Sequence, residues 1–577
     1  FEGIDQGNTR ISEIGLRELH GYPYFDALDA CAQTVMASFN SWNGQKLHGY
    51  ERLLTDILKK DMQFDGFVVG DWNGHGQVEG CSNAKCAQSF NAGVDMFMVP
   101  ENWKDLLRNT IRQVKSGEIS EARLNDAVRN ILTVKSRLGL FNGRVPHEFK
   151  ENYLGHPKHI ALARQAVRES LVLLKNNNRL LPLNPKQHIG IIGDAAKKIS
   201  SQTGGWTITW QGRENLNSDF VNVNSIYEAL EKTILSSGGT VEFSNNGKFT
   251  KDPDVVIGVF GEEPYAEMLG DLKDVSFAAT DPKFLPLLEA MNAQSIPTVS
   301  IFLSGRPLVV NRQLNASDAF IAAWLPGSAV EGIADVIFTK DDEIHHDFTG
   351  KLSYSWPKTK DQSVLNFTDS IYDPLFPYGY GLSYSSNIET PRIQITNNDS
   401  KLDLVNVFLG TASIPGKEFI VTKDGPEFVL QDDFVSNNDK IKITRFDYQR
   451  QDDAKNVVFK EDQSLQAFGI SAESHVNLST MKSPFYEIIM RVNSLSSPSL
   501  YFSVGCGNNC RGSIELPTKL MTDWSTINIP LSCLEKDGLD KTKIQVRGLF
   551  LSEEEINFDL NSIVIKDGKL TGKEVSC

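Results

Sequence analysis

The stretch "DGFVVGDWNG", residues 65–74, decides the fold of the first part of the chain. An apolar run, Phe67–Val69, is followed at once by Gly70, the lone carboxylate of Asp71, and Trp72. A short apolar run without polar alternation is typical of a strand that is buried on both faces, as in a parallel sheet. Asp71 is then either a strand cap or turn residue, or a group that does chemistry. The second alternative requires another carboxylate elsewhere in the chain.

Helix and strand patterns alternate around this stretch, from Phe1 to about Asn142. The apolar strands lie in "AQTVMASFNSW", "FDGFVVGDW" and "VDMFMVP". Each is followed by a polar loop with Gly, Asn or Trp, which suits a (β/α)8 barrel, whose functional residues lie at the carboxyl ends of the strands. A whole barrel takes roughly 200–250 residues. We therefore expect residues 1–145 to form the C-terminal part of a barrel whose earlier strands precede Phe1.

A second domain is predicted over residues 165–384, after a linker at 146–164 that is rich in Gly, Pro and His. It begins with a helix around "ALARQAVRESLVLL" and continues with the strands "HIGIIGDAA", "DVVIGVFGE", "PTVSIFLSG" and "AFIAAWLPG". Strands that alternate with helices predict an α/β sandwich around a parallel sheet. A nucleotide-binding fold is a poor alternative, because "GIIGDAA" lacks the three-glycine spacing that lets a backbone approach pyrophosphate.

The pattern changes again over residues 387–577, where hydrophobic residues alternate with polar ones at a period of two. Examples are "KIKITRF", "SLYFSVG" and "INFDLNSIVI". Turn residues separate these segments, and helical patterns become scarce. The sequence therefore predicts an all-β sandwich or jelly roll as the third domain.

Composition narrows the range of partners. The net charge of -15 argues against nucleic acid or an anionic membrane surface as a partner. No run of eighteen or more apolar residues is present, so we expect no membrane span. The close pairs Cys81/Cys86 and Cys506/Cys510 fit local disulfides in an oxidising compartment, although buried or free thiols remain the alternative. Neither pair has zinc-ligand spacing, so no metal site is predicted from the cysteines.

The second carboxylate is expected in "EEPYAEMLGD", which follows the strand "DVVIGVFG" and holds four acids. Acidic loops are usually only solvated, but the upstream segment "GGWTITWQG" adds Trp206 and Trp210 among glycines. Two tryptophans four residues apart are either core residues or an aromatic slot. In a glycine-rich loop the slot is favoured, because the apolar faces of sugars stack well on indole.

Together these motifs resemble those of glycoside hydrolase family 3, close to its exo-acting β-glucosidases and glucanases. The resemblance covers residues 1 to about 384, with the motifs in family order, and the third domain resembles, more loosely, a galactose-binding-like module. The motifs are "FDGFVVGDW", "NAGVDMFMVP", "LVLLKNNNRLLPL", "GGWTITWQG", "GEEPYAEMLGD", "SGRPLVV", "AWLPGSAVEGIADVIF", "GKLSYSWP" and "PLFPYGYGLSY".

The resemblance implies a role for each candidate site residue. Asp71 holds the position of the nucleophile, and Glu267, the acid of "PYAE", holds that of the general acid/base. Trp72 would line the pocket for the terminal sugar. Trp206 and Trp210 would clamp the leaving group. The implied reaction is hydrolysis of terminal β-D-glucosyl residues with retention, in which both carboxyl groups converge on one sugar ring. It needs no cofactor.

Several positions depart from the family pattern. Gly70 stands where the family usually has Ser, and Phe39 stands where plant relatives have Tyr, which removes a polar contact near the nucleophile. The family's Lys-His pair, an Arg and an Asp that bind the glucose hydroxyls have no counterpart in the chain. We therefore expect the chain as given to be an N-terminally truncated fragment that is weakly active or inactive. The resemblance and the cysteine pairs favour a periplasmic or secreted protein.

Three alternatives to a β-glucosidase stay open. A β-xylosidase of the same family fits the same motifs. A β-N-acetylhexosaminidase is disfavoured by Glu267, because those enzymes use a histidine of the barrel instead. A carbohydrate-binding protein with a degenerate barrel is the alternative from another class. Calcium in the third domain is a further hypothesis, since "QDDFVSNND", residues 431–439, offers oxygen ligands.

Overall fold

The computed structural model describes most of the chain, in two compact units. One unit comprises Phe1–Glu148 with Leu402–Cys577, and the other comprises Phe149–Lys401. The described residues are 6–143, 155–213, 215–272, 274–277, 284–395, 404–410, 412–413, 417–422, 425–428, 440–446, 448, 453–460, 464–479, 481–494, 498–507, 510–536, 538–570 and 572–575.

Two small sheets form the N-terminal region. The strands are β1 (Asn8–Thr9), β2 (Thr34–Met36), β3 (Ser41–Trp42), β4 (Gln45–Lys46), β5 (Phe67–Trp72) and β6 (Met96–Met98). β2, β5 and β6 form a parallel sheet in that order, with Thr34 opposite Phe67. These are the three strands that the apolar runs predict, so the parallel arrangement is confirmed. The second sheet has the order β1-β3-β4.

Helices cover this parallel sheet, as the alternating pattern predicts. They are α1 (Glu13–Leu16), α2 (Tyr22–Asp29), α3 (Ala87–Ala92), α4 (Trp103–Lys115) and α5 (Glu121–Arg137), with a π-helical segment at Arg52–Asp61. At the start of α5, the hydroxyl of Ser120 caps the helix by accepting a hydrogen bond from the backbone N–H of Arg123. The buried carboxylate of Asp95 accepts hydrogen bonds from Lys59, Arg123 and the backbone N–H of Val68. Asp95 thereby ties the start of β5 to the flanking helices.

The second unit is built on one six-stranded sheet. Its strands are β7 (Val172–Asn176), β8 (His188–Ile192), β9 (Thr240–Phe243), β10 (Val255–Gly261), β11 (Thr298–Leu303) and β12 (Ala319–Trp324). Their order is β7-β12-β11-β10-β8-β9, and only β7 runs antiparallel. The prediction of a helix through "SLVLL" is wrong at its end, because the helix stops at Ser170 and Val172–Asn176 is a fully buried strand. An apolar run of this length does not distinguish a buried strand from a buried helix.

Helices lie on both faces of this sheet. They are α6 (Pro157–Ser170), α7 (Ile199–Thr203), α8 (Ile226–Ser236), α9 (Phe284–Ala293), α10 (Asn311–Asn315) and α11 (Glu331–Ile337). Alternate residues of β10 point to opposite faces: Ile257 packs with α6, α8 and α11, and Val256 packs with α9 and α10. Burial on both faces explains why β10 to β12 read as continuous apolar runs.

The C-terminal region consists almost entirely of antiparallel strands. Its two sheets have the paths β14-β13-β25-β20-β23-β26, with β17 and β18 branching from β25, and β16-β15-β19-β24-β21-β22. The elements are β13 (Leu404–Leu409), β14 (Ala412–Ser413), β15 (Lys417–Thr422), β16 (Gly425–Phe428), β17 (Ile441–Phe446), β18 (Ala454–Phe459), β19 (Gln466–Val476), β20 (Pro484–Val492), β21 (Tyr501–Gly505), β22 (Arg511–Glu515), β23 (Ser525–Pro530), α12 (Leu531–Glu535), β24 (Ile544–Ser552), β25 (Ile556–Asp567) and β26 (Lys573–Glu574). This confirms the predicted all-β region.

Both predicted cysteine pairs are disulfides. Cys81 is bonded to Cys86, and Cys506 is bonded to Cys510. Cys31 is an exposed free cysteine. Among the helices that the structure describes, none has the length and apolar character needed to cross a bilayer.

Candidate active site

Asp71 lies at the carboxyl end of β5, the central strand of the small parallel sheet. The preceding residue, Gly70, is buried, and Asp71 itself is half-buried. The backbone N–H of Asp71 donates a hydrogen bond to Nε2 of His48 at 2.9 Å. The backbone N–H of Trp72 donates to Oδ1 of Asp71 at 2.8 Å. The main chain and one carboxyl oxygen of Asp71 are therefore both held in place.

His48 is a buried, neutral support for this strand end. Only 1% of its surface is exposed. Burial lowers its pKa to about 4, and nearby His75 acts in the same direction, whereas the backbone of Ser38 acts to raise the pKa. Because Nε2 accepts the N–H of Asp71, the ring proton is on Nδ1. His48 was not singled out by sequence analysis, since nothing in "QKLHGY" distinguishes it from a surface histidine.

Two glycines of the quoted stretch pack against the His48 ring at different distances. A Cβ atom at Gly74 would lie 2.3 Å from Cε1 and Nε2 of His48, which is a clash. A Cβ atom at Gly70 would lie 3.5 Å from Cδ2, which is ordinary contact. The departure from the family pattern at Gly70 therefore removes a small side chain that this position has room to hold.

Phe39 and Trp72 are near the same strand end. The Phe39 ring lies 6.0 Å from the His48 ring, centroid to centroid, and its carbonyl accepts a hydrogen bond from Nζ of Lys46 at 2.9 Å. Trp72 is half-buried, and its backbone pairs with Met98 of β6. Phe39 and Asp71 thus both lie beside His48. The contacts of Phe39 and Trp72 with a sugar stay predictions.

Glu267 lies on the loop after β10, and its side chain is exposed. Its carboxylate accepts hydrogen bonds from the indole N–H groups of both predicted tryptophans. Nε1 of Trp206 lies 3.1 Å from Oε1 and 3.2 Å from Oε2, and Nε1 of Trp210 lies 2.5 Å from Oε2. The structure thus brings Trp206, Trp210 and Glu267 together, although the predicted role was a clamp on the leaving group.

Gln211 links the tryptophan segment to the loop of Glu267 through the backbone. Its side-chain N–H donates to the carbonyl of Glu267 at 3.2 Å, and its side-chain oxygen accepts the backbone N–H of Ala266 at 2.8 Å. Nε of Arg213 donates to the carbonyl of Pro264 at 2.7 Å. The two segments, residues 204–213 and 262–271, are therefore bonded along much of their length.

Arg306 holds the other side of the loop of Glu267. Its guanidinium forms an ion pair with Glu262 at 3.0 Å, donates to the carbonyl of Gly270, and lies 4.1 Å from the centre of the Tyr265 ring. The hydroxyl of Ser304 donates to Glu262 at 2.6 Å. Burial raises the pKa of Tyr265 to about 12, so its phenol is neutral. Glu262 thus anchors the loop.

No metal centre is evident within the part of the chain that the structure describes. There, no three His, Cys, Asp or Glu side chains are grouped so that they could hold a metal ion. The segment predicted to bind calcium, residues 431–439, lies outside the described residues. Calcium binding therefore stays a hypothesis.

Family models match three consecutive parts of the chain. Residues 2–134 match the Glycosyl hydrolase family 3 N terminal domain, and residues 171–384 match the Glycosyl hydrolase family 3 C-terminal domain. Residues 418–565 match a Galactose-binding domain-like model.

Individual relatives agree with these matches. The chain is similar to the crystal structure of exo-1,3/1,4-β-glucanase (ExoP) from a Pseudoalteromonas species, with 39% identity and a TM-score of 0.67 over 100% of this chain and 72% of that one. It is 30% identical to the lysosomal β-glucosidase of Dictyostelium discoideum over 422 residues, 67% of this chain and 50% of the relative. It is 26% identical to a β-xylosidase of Formosa agariphila over 490 residues, 77% of this chain and 65% of the relative.

The chain thus spans about half to two thirds of the length of these curated relatives. It spans 72% of the exo-glucanase structure, and that likeness extends over 100% of this chain. With both catalytic-domain models matched in order, the chain belongs to glycoside hydrolase family 3.

Proposed function

We propose that this protein is a retaining, exo-acting β-glucosidase or exo-β-glucanase, which removes terminal non-reducing β-D-glucosyl residues from oligo- or polysaccharides. The observation that carries the proposal is the 39% identity with an exo-1,3/1,4-β-glucanase along the entire chain. The similarity to a lysosomal β-glucosidase supports the same substrate class.

Asp71 is the proposed nucleophile. Its carboxylate attacks the anomeric carbon and forms a covalent glycosyl-enzyme, which water then hydrolyses. Two features of the site suit this role. The backbone is fixed by His48, and the N–H of Trp72 orients one carboxyl oxygen. A nucleophile held in one position loses little entropy on attack.

Glu267 is the proposed general acid/base. Protonated, it gives its proton to the glycosidic oxygen as the bond to the leaving group breaks. Ionised, it takes a proton from the water that attacks the glycosyl-enzyme. Retention requires both carboxyl groups at one sugar ring, about 5–5.5 Å apart. That convergence of Asp71 and Glu267 stays a prediction, and the reaction draws on no cofactor.

The test is hydrolysis of an aryl β-D-glucoside and of β-1,3- and β-1,4-linked gluco-oligosaccharides by the intact protein. Proton NMR should show β-glucose as the first product, released one residue at a time from the non-reducing end. Asp71→Ala should abolish turnover and leave sugar binding intact. Sugar binding without hydrolysis by the wild type would instead support the carbohydrate-binding alternative, and α-glucose as first product would exclude a retaining mechanism.

A β-xylosidase is the second candidate, because a relative of that name matches 77% of the chain. The two sugars differ only in the hydroxymethyl group of glucose. Comparison of kcat/KM for aryl β-D-glucoside and aryl β-D-xyloside decides between them, and a higher value for the xyloside would favour this candidate.

We also propose a periplasmic or extracellular location. The two short disulfide loops support it, because such bonds persist in oxidising compartments. Cell fractionation of the native host with an antibody against this protein tests the proposal, and a purely cytoplasmic signal would contradict it.

A further inference from the structure

Two indole N–H groups converge on the carboxylate of Glu267, and their arrangement is not that of a sugar clamp alone. The Trp206 and Trp210 rings are tilted by 49°, with centroids 6.3 Å apart, so they are not parallel walls. Oε2 accepts from both indoles, and Oε1 accepts from Trp206 alone. We propose that Trp206 and Trp210 are positioning residues that hold the carboxylate of Glu267 for its acid/base role, an inference that rests on the function proposed above.

The backbone of the tryptophan segment adopts an unfavourable conformation at this place. Trp206 has φ +57° and Ile208 has φ +63°, in the left-handed region that large L-residues avoid. The backbone N–H of Trp206 donates to the carbonyl of Trp210 at 2.8 Å and closes the turn. Such conformations persist where surrounding contacts enforce them, and they concentrate at functional sites.

Close backbone contacts enforce the turn. A Cβ atom at Gly205 would lie 2.2 Å from the carbonyl oxygen of Tyr265, and one at Gly212 would lie 2.4 Å from the carbonyl oxygen of Gly204. The segment therefore sits directly against the loop of Glu267, and only glycine fits at these two positions. This proximity brings the indole N–H groups within hydrogen-bond distance of the carboxylate.

Glu267 needs such support because of its surroundings. A glutamate on an exposed loop samples many rotamers, and fixing one of them loses conformational entropy. Indole is a rigid donor with no acceptor atom, so two indoles restrict the side chain without competing for its proton. Oε2 accepts hydrogen bonds from both indoles, whereas Oε1 accepts from one. Oε1 is therefore the oxygen that carries the proton to the glycosidic oxygen and later receives a proton from water.

The experiment compares leaving groups. Trp206→Phe and Trp210→Phe keep an aromatic ring and lose the N–H donor. Each should lower kcat/KM for phenyl β-D-glucoside about tenfold, the value of one charge-assisted hydrogen bond. Each should change kcat/KM for 2,4-dinitrophenyl β-D-glucoside by less than about threefold, because that leaving group departs without protonation. Trp103→Phe, an exposed tryptophan on α4, is the control and should change neither value.

A second measurement combines the variants. In a Glu267→Gln background, Trp206→Phe should have no further effect on phenyl β-D-glucoside, because the donor acts only through the carboxylate. The basic limb of the kcat/KM pH profile should also shift in Trp206→Phe and not in Trp103→Phe.

The outcomes separate the two proposals. Equal losses of kcat/KM for both leaving groups, or losses that persist in the Glu267→Gln background, would overturn the positioning role. Trp206 and Trp210 would then act only as a clamp on the leaving group. No hydrolysis of either glucoside by the intact wild-type protein would overturn the proposed function itself. Because Trp206 is 70% exposed, its replacement should not affect folding, and circular dichroism checks this.

Discussion

Asp71 lies near the end of strand β5, where hydrogen bonds hold its backbone N–H and one carboxyl oxygen, whereas Glu267 lies on an exposed loop and is held by indole N–H groups. The support of Asp71 is His48, a buried ring that accepts its backbone N–H. The support of Glu267 comes from two indoles and from a loop that other segments bind. A nucleophile requires one fixed position, and a strand end provides it. A group that gives and then takes a proton is instead supported by donors that do not compete for that proton.

The largest expected effect comes from removal of each carboxylate in turn. Asp71→Ala should lower kcat by roughly 10⁴-fold or more on any aryl β-D-glucoside, because no other group replaces the nucleophile. Glu267→Ala should lower kcat/KM roughly 10²–10⁴-fold for a phenyl leaving group, and far less for dinitrophenyl. Steady-state kinetics with both substrates measures the difference.

Added azide sharpens this comparison. It should rescue Glu267→Ala by giving the β-glucosyl azide, because the glycosyl-enzyme still forms. It should give the α-glucosyl azide with Asp71→Ala, because azide then attacks directly from the nucleophile's side. The same azide anomer from both variants would contradict the assigned roles.

The loop of Glu267 should depend strongly on Arg306. Arg306→Met removes the partner of Glu262, whose side chain is only 13% exposed, and should destabilise the second unit by about 3 kcal/mol. Arg312→Met is the matched control. It breaks an ion pair with Glu289 in which both side chains are 46% exposed, and it should cost less than about 1 kcal/mol. Hydrogen exchange of β10 and β11 amides measures the loss of stability in both variants. Similar losses in the two would argue that Arg306 does not hold the loop.

Substitution of Gly74 should disturb the end of the strand that carries Asp71, whereas substitution of Gly70 should be tolerated. Gly74→Ala drives a methyl group into the His48 ring and should destabilise the protein by about 1–3 kcal/mol, with a lower kcat. Gly70→Ala meets the ring at normal contact distance and should change stability by less than about 0.5 kcal/mol. Thermal unfolding and kcat for each variant are the measurements. A more damaging Gly70→Ala would contradict the expected difference between the two glycines.

His48 should also make the stability depend on pH. Its folded pKa of about 4 lies below the ordinary value of 6.5, so the unfolded chain binds the proton more readily. Stability is therefore full above about pH 6.5 and is lost as the pH falls toward 4. The loss between about pH 7 and pH 5 is about 2 kcal/mol. Urea unfolding of wild type and His48→Gln at both pH values isolates it, since the variant should lack this part of the loss.

Much of the fold could be predicted because the sequences of the strands indicate buried strands by themselves. The runs at Phe67–Val69 and Val255–Gly261 are apolar without alternation, and Val255–Gly261 is buried throughout, as a strand covered on both faces must be. Family motifs then pointed to Asp71 and Glu267. The boundary between α6 and β7 could not be predicted, because Leu171 to Leu174 suit either structure equally well.

The supports of the two carboxylates could not be predicted, because they come from distant parts of the chain. His48 is 23 residues from Asp71, and Trp206 and Trp210 are 61 and 57 residues from Glu267. The glycine-rich context indicated that the tryptophans stack on sugar. It could not indicate where the indole nitrogens point, since that depends on left-handed backbone at Trp206 and Ile208.

Arg306 has a consequence for protein engineering. Arg306 binds both ends of the loop that carries Glu267, through Glu262 and the carbonyl of Gly270. A graft of residues 262–271 into another parallel sheet would therefore transfer the glutamate without the arginine that holds its loop. A transferable module would need the Ser304–Arg306 turn and the 204–213 segment as well. Recombination between homologous enzymes should therefore succeed when these three pieces are inherited from one parent, and fail when they are mixed.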